Sequence, residues 1–188
     1  NVTVKDCDIN ITGNNGIYWL NSDNGSIENN TVYVGGSHTI HIQGSDNNNI
    51  TNNTFTAGTF ISVYFQSSDD NRITNNIVTS DSTAIYIFTS PNTNITNNTV
   101  TVSGEKAIYI QGSDDNRLTN NTFTAYNKVI YIQNTENNIL TNNNIIAEAS
   151  DLINDIGGTN NHLIYNNLFG QISWLDTSNL TIAEAGTL

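Results

Sequence analysis

The sequence predicts an all-β parallel solenoid, and three observations predict it. The first is a near-constant period. Apolar residues that open a recurring I-T-N-N-T-F-T phrase stand at Val4, Ile27, Ile50, Ile73, Ile95, Leu118, Leu140 and Ile164, with spacings of 23, 23, 23, 22, 23, 22 and 24. The second is alternation of apolar and polar residues over strand length, as in "IYWL" at Ile17, "IHIQ" at Ile40, "VYFQ" at Val63 and "IYIQ" at Ile108 and Ile130. The third is composition within those runs. β-Branched residues dominate, the chain has 1 proline (Pro91), and no stretch repeats apolar residues at helical spacing.

Each element follows from the unit. In the third unit, strand one is "ITN" from Ile50, strand two is "TFT" from Thr54 and strand three is "VYFQ" from Val63. Alternation points Ile50, Phe55, Val63 and Phe65 inward. One unit buries too little to offset its ordering entropy, so about eight units of ~23 residues must stack into a continuous core. At ~4.8 Å per rung the stack is a rod on the order of 40 Å long. The second Asn of the phrase, in the series Asn30, Asn53, Asn76, Asn98, Asn121, Asn143 and Asn167, falls at the corner between strands one and two. An inward Asn ladder is expected there, because an amide both donates and accepts along a stack. Cys7 occupies the same position in the first unit and reads as a ladder substitute.

Composition narrows the class further. The 188 residues include 36 Asn and 25 Thr, a mixture often disordered, but disorder imposes no fixed apolar period. A net charge of −12 excludes a nucleic-acid partner, which needs a basic face. A single cysteine excludes an internal disulfide, and no apolar run reaches the ~18 residues of a membrane span. The chain lacks methionine and starts within repeat-like sequence, so it reads as a segment of a longer protein. One domain is expected over 1–188. Rungs are regular to about 170, and 171–188 form an irregular last rung or cap to which Trp174 would be suited. After Ala147 either Leu152 or Ile153 opens strand three.

The Asn-Asn corner followed by a Gly/Ala-I-Y-I-Q strand resembles the right-handed, single-stranded parallel β-helix repeats of the pectate-lyase-like superfamily. The Asn/Thr-rich dialect is most similar to adhesin-like cell-surface proteins of methanogenic archaea. The resemblance covers about residues 1–170. It implies an extracellular or cell-surface protein used for display and adhesion, and it implies that strand three lines a polysaccharide-binding groove. A lyase or hydrolase of the same fold and a purely structural stalk are the alternatives.

Repetition turns single positions into rows. Outward on strand three stand Tyr18, His41, Tyr64, Tyr86, Tyr109 and Tyr131, beside Gln43, Gln66, Gln111 and Gln133. A flat aromatic strip flanked by amides suits sugar rings, and cross-strand stacking would also serve stability alone. These ten residues are the candidate carbohydrate-binding set. The following turn carries an acidic row, Asp23, Asp46, Asp69, Asp114 and Glu136, with Asp70 and Asp115 adjacent and Pro91 interrupting. Turn capping accounts for such a row. Asp69, Asp70, Asp114 and Asp115 are weaker candidates for Ca²⁺, and no other cofactor is expected. The reading leans away from catalysis. Strand three lacks paired carboxylates, no base among Lys5, Arg72, Lys106, Arg117 and Lys128 stands at its centre, and the loops entering it look too short to wall a cleft.

Overall fold

The computed structural model describes residues 1–171 and 180–183. The chain winds as a right-handed parallel β-solenoid with three strands per rung and, among the described residues, no helix. One rung runs through the strands Asn49–Thr51, Thr54–Ala57 and Val63–Gln66. Successive rungs stack these into a nine-stranded first sheet, an eight-stranded second sheet and a seven-stranded third sheet. Seven rungs are therefore complete. Among the described residues the eighth contributes strands to the first two sheets only, and Leu180–Ala183 adds the ninth strand of the first sheet beyond it; Trp174 lies outside those residues.

The core is built from aligned side chains. Ile27, Ile50, Ile73, Ile95, Leu118 and Leu140 form one fully buried column; Phe55, Val78, Val100, Phe123 and Ile145 form a second. Ile42, Phe65, Ile87, Ile110 and Ile132 form a third. Trp19 takes the bottom of that third column, and a Cβ on Gly25 would approach its ring to 2.7 Å.

The first corner divides two roles between its paired Asn residues. The left-handed backbone falls on the first Asn of each pair, at Asn29, Asn52, Asn75, Asn97, Asn120 and Asn142. The second Asn extends the stack inward, as expected. Asn53 donates from Nδ2 to the Ile27 carbonyl at 2.9 Å, while its Oδ1 accepts from the backbone and side-chain amides of Asn30 at 2.8 and 2.9 Å. The same pattern recurs through Asn76, Asn98, Asn121 and Asn143. In the last rung the ladder member is Asn166, which receives Asn143 at 2.9 Å, and not Asn167, which opens a strand. Leu163, not Ile164, is the buried partner of Leu140. Two adjacent apolar residues hid the register, and the true spacing there is 23. Cys7 is exposed, and only its backbone amide joins the ladder, donating to Asn30 at 3.0 Å.

The corner after the third sheet carries two further inward ladders. Ser45, Ser68, Ser90 and Ser113 accept backbone amides from the rung below at 2.9–3.1 Å. Asn48, Asn71, Asn116, Asn138 and Asn161 do likewise at 2.7–3.0 Å. Three polar ladders thus close the backbone amides that strand pairing leaves at the bends.

Candidate functional site

The third sheet presents the aromatic strip. Its strands pair in register, with His41, Tyr64, Tyr86, Tyr109 and Tyr131 as successive partners. His41 and Tyr64 stack at 4.7 Å between ring centroids, Tyr64 and Tyr86 at 5.1 Å, and Tyr86 and Tyr109 at 4.5 Å. Tyr18 tilts onto His41 at 5.0 Å and is 47% exposed, whereas the other rings are half-buried. Tyr131 turns edge-on to Tyr109 at an interplanar angle of 79°. The next position is Asn154, a buried amide that ends the row. The strand begins at Ile153, with Leu152 buried before it.

The Gln row is coupled to the rings. The Tyr18 hydroxyl donates to Gln43 Oε1 at 2.6 Å, Tyr86 donates to Gln111, and Tyr109 donates to Gln133 at 2.5 Å. His41 Nε2 meets Gln66 Oε1 at 3.3 Å. Each ring is thereby fixed by the amide one rung above. Tyr64 and Tyr131 meet Phe88 and Ile156 at the position where the other four meet Gln, so their hydroxyls have no such acceptor. Burial pushes the Tyr64, Tyr86 and Tyr109 hydroxyls above their ordinary pKa, with neighbouring tyrosines adding to the rise at Tyr86 and Tyr109. These hydroxyls stay protonated as donors at physiological pH. Burial also lowers both imidazoles, His41 against its bond to Gln66 and His38 against its bond to the Ile61 carbonyl.

The walls were not anticipated from sequence. Loops 35–39 and 58–62 are longer than their successors, and they carry His38 and Phe60 to the strip. His38 lies 4.9 Å from Phe60 and 5.2 Å from Tyr64. Loops 81–82, 103–105 and 126–127 are short, and the strands after them start early, at Thr83, Lys106 and Lys128. Lys106 Nζ sits 5.3 Å from the Tyr109 ring and 5.4 Å from the Tyr131 ring; Lys128 Nζ is 4.9 Å from Tyr131. Two cavities open here. One of ≈ 220 Å³ is lined by Phe60, Ile61, Ser82, Thr83, Tyr86, Glu105, Lys106 and Tyr109. One of ≈ 320 Å³ is lined by Glu105, Lys106, Asn127 and Lys128. The expectation that these loops leave the strip unwalled is therefore corrected. The signal was the motif K-x-I-Y-I. Two consecutive buried residues, Ala107 with Ile108 and Val129 with Ile130, break strict alternation and put the preceding Lys on the Tyr face.

The acidic turn is used for capping. Asp23 accepts the Asp46 backbone amide, Asp46 accepts that of Asp69, and Asp114 accepts that of Glu136, each at 2.8 Å. Asp70 and Asp115 occupy left-handed corners. Pro91 has no amide to offer Asp69, and burial followed by the charges of Asp46 and Asp70 raises the Asp69 carboxyl. Among the described residues no three of His, Cys, Asp or Glu are placed to share a metal ion.

A family model described as "Periplasmic copper-binding protein (NosD)" matches residues 1–179. No curated protein sequence matches the chain. Among solved structures, the A-module of the mannuronan C-5 epimerase AlgE4 from Azotobacter vinelandii is similar at 15% identity and a TM-score of 0.73, covering 96% of this chain and 57% of that one. A DFA-IIIase from Arthrobacter chlorophenolicus A6, solved in complex with DFA-III, is similar at 13% identity and 0.73, covering 100% and 57%. The periplasmic alginate epimerase AlgG is similar at 15% and 0.63, covering 87% and 40%. The chain spans little more than half the length of these structures or less. At such identities the likeness shows a shared fold.

Proposed function

We infer a function for this chain from one premise: it belongs to the NosD family, described as periplasmic copper-binding proteins. It acts outside the cytoplasm, as a β-helix that holds a polysaccharide along its third sheet. The observation that carries this reading is the unbroken stack from His41 to Tyr109, walled on one side by Phe60 and Lys106. Such a stack presents ring edges and hydroxyls at ~4.8 Å intervals, its faces being packed against one another. The Gln amides leave their Nε2 donors for sugar hydroxyls, since their Oε1 atoms are engaged by the rings. Adhesion at a surface is one use of such binding. Processing of the bound polymer is favoured over it by the solved neighbours, which are epimerases and a DFA-IIIase. The site itself offers Tyr, Lys and His groups, and Glu105 is the one carboxylate lining the two described cavities. It therefore lacks the carboxylate pair of ordinary glycoside hydrolysis.

Copper does not fit the donors present. Soft sulfur or several imidazoles are needed to select it. The chain has no methionine, and Cys7 lies at the first corner, away from the third sheet. His38 and His41 are neighbours at 5.2 Å between centroids, but no third donor joins them among the described residues.

A glycan array probed with the wild-type chain and with Tyr64→Ala and Tyr109→Ala tests the reading. Binding that both substitutions weaken is expected. Loss of binding to every glycan in the wild type leaves only a structural stalk. Chromatography of bound oligosaccharides after incubation separates the two uses, since epimerised, unsaturated or shortened products appear only if the polymer is processed.

A further inference from the structure

We propose that the strip recognises an anionic sugar residue at its Lys106–Lys128 end, an assignment that rests on the glycan-binding reading above. The chain has 5 Lys and Arg against 17 Asp and Glu. Three of the five, Lys5, Arg72 and Arg117, lie on the first sheet. The other two are Lys106 and Lys128, direct partners on adjacent strands of the third sheet. Two like charges one strand spacing apart oppose pairing unless an opposite charge compensates. Glu105 compensates one of them, at 3.1 Å from Lys106 Nζ. Lys128 Nζ lies over the Tyr131 ring, and the cavity beside both lysines is lined by Glu105, Lys106, Asn127 and Lys128. A chain of net charge −12 thus sets two of its five cationic side chains next to each other at one end of the aromatic strip.

The cavities agree with that placement. The ≈ 320 Å³ space beside Lys106 and Lys128 is at the low end of small-ligand sites (~300–1,000 Å³) and adjoins the ≈ 220 Å³ space over Tyr86 and Tyr109. A sugar held against the outer edge of Tyr109 brings an attached acidic group toward both ammonium groups. Lysine provides a compact point charge with rotatable donors, which suits a carboxylate or a sulfate ester without selecting between them. The opposite end, at His38 and His41, supplies no matching charge near neutral pH, because both imidazoles are held below their ordinary pKa by burial. The groove is therefore polar along its length: neutral at the His end and cationic at the Lys end.

The test uses a mannuronate hexasaccharide, its carboxyl-reduced neutral counterpart and a sulfated form of that neutral oligomer, measured by calorimetry at low salt. Either anionic probe should bind about tenfold or more tightly than the neutral one, and the arm that prevails identifies carboxylate or sulfate. The advantage should vanish in the Lys106→Gln/Lys128→Gln double variant and shrink in concentrated NaCl, while Lys5→Gln leaves it intact. Equal binding of all three probes, unchanged by the double variant, overturns the charge assignment and leaves the glycan-binding reading standing. No binding of any probe, with Tyr109→Ala equally silent on the array, overturns both. Circular dichroism of each variant shows that the solenoid is retained.

Discussion

At the residue scale the solenoid depends on inward amides. Asn98 Oδ1 accepts two amides from Asn76, at 2.8 and 3.1 Å, and its Nδ2 reaches the Ile73 carbonyl at 2.9 Å. Asn98→Ala leaves buried donors and an acceptor without partners, at about 1–3 kcal/mol each. A loss of about 3 kcal/mol or more is expected by chemical denaturation, and an unchanged midpoint would show the ladder to be ornamental. Asp69 is the reverse case. Its carboxyl is raised by burial and then by Asp46 and Asp70, so its ionised form opposes folding. The associated stability is present below the ordinary carboxyl pKa of about 3.9 and is lost as pH rises through the raised folded value. Asp69→Asn should therefore melt higher than the wild type at pH 7, with the advantage closing as pH falls toward 3.9. A constant difference across that range would assign the effect to something other than ionisation.

The element that matters most is the third sheet. His41 interrupts a tyrosine row yet preserves the stack, at 4.7 Å from Tyr64. Its imidazole is lowered by burial, with the Gln66 bond opposing. For a depressed base the stability is present above the ordinary value of about 6.5 and is lost as pH falls through the lowered folded one. His41→Tyr, which completes the row, should flatten the melting temperature of the protein between pH 7.5 and pH 5, leaving the smaller contribution of His38. Identical pH profiles for variant and wild type would remove His41 from this role. The strip was largely legible in sequence because Y recurs at the same offset in each unit. Lys106 and Lys128 were not legible as part of it. Strict alternation puts them on the wrong face, and only the two consecutive buried residues after each Lys return it to the groove.

Across the whole molecule, seven complete rungs repeat both the cohesion and the charge. Acidic side chains recur at rung spacing in the turn after the third sheet, and the chain as a whole carries −12. Raising NaCl from about 0.01 M to about 1 M shortens the screening length from about 30 Å to about 3 Å. The melting temperature should rise accordingly, as self-repulsion is screened. A fall would mean that specific ion pairs outweigh it, although the described pairs are only Lys5–Glu28 and Lys106–Glu105. Stability and anionic-ligand affinity should thus respond to salt in opposite directions.

The sequence by itself determined the period, the strand faces, the apolar columns and the first Asn ladder. Each is a property of one residue repeated at one spacing, and stacking copies every local preference about seven times. The tertiary structure alone decided what depends on neighbours not spaced by the repeat. It set the register of the last rung, where Leu163 and Ile164 are equally apolar, whereas the Ser and second Asn ladders follow an S-x-x-N phrase that recurs at Ser45, Ser68 and Ser113 with the repeat. It also brought His38, Phe60, Lys106 and Lys128 to the strip. Those side chains come from loops of unequal length, and where a loop of two or of five residues delivers its side chain is fixed by the packing of the rungs on either side.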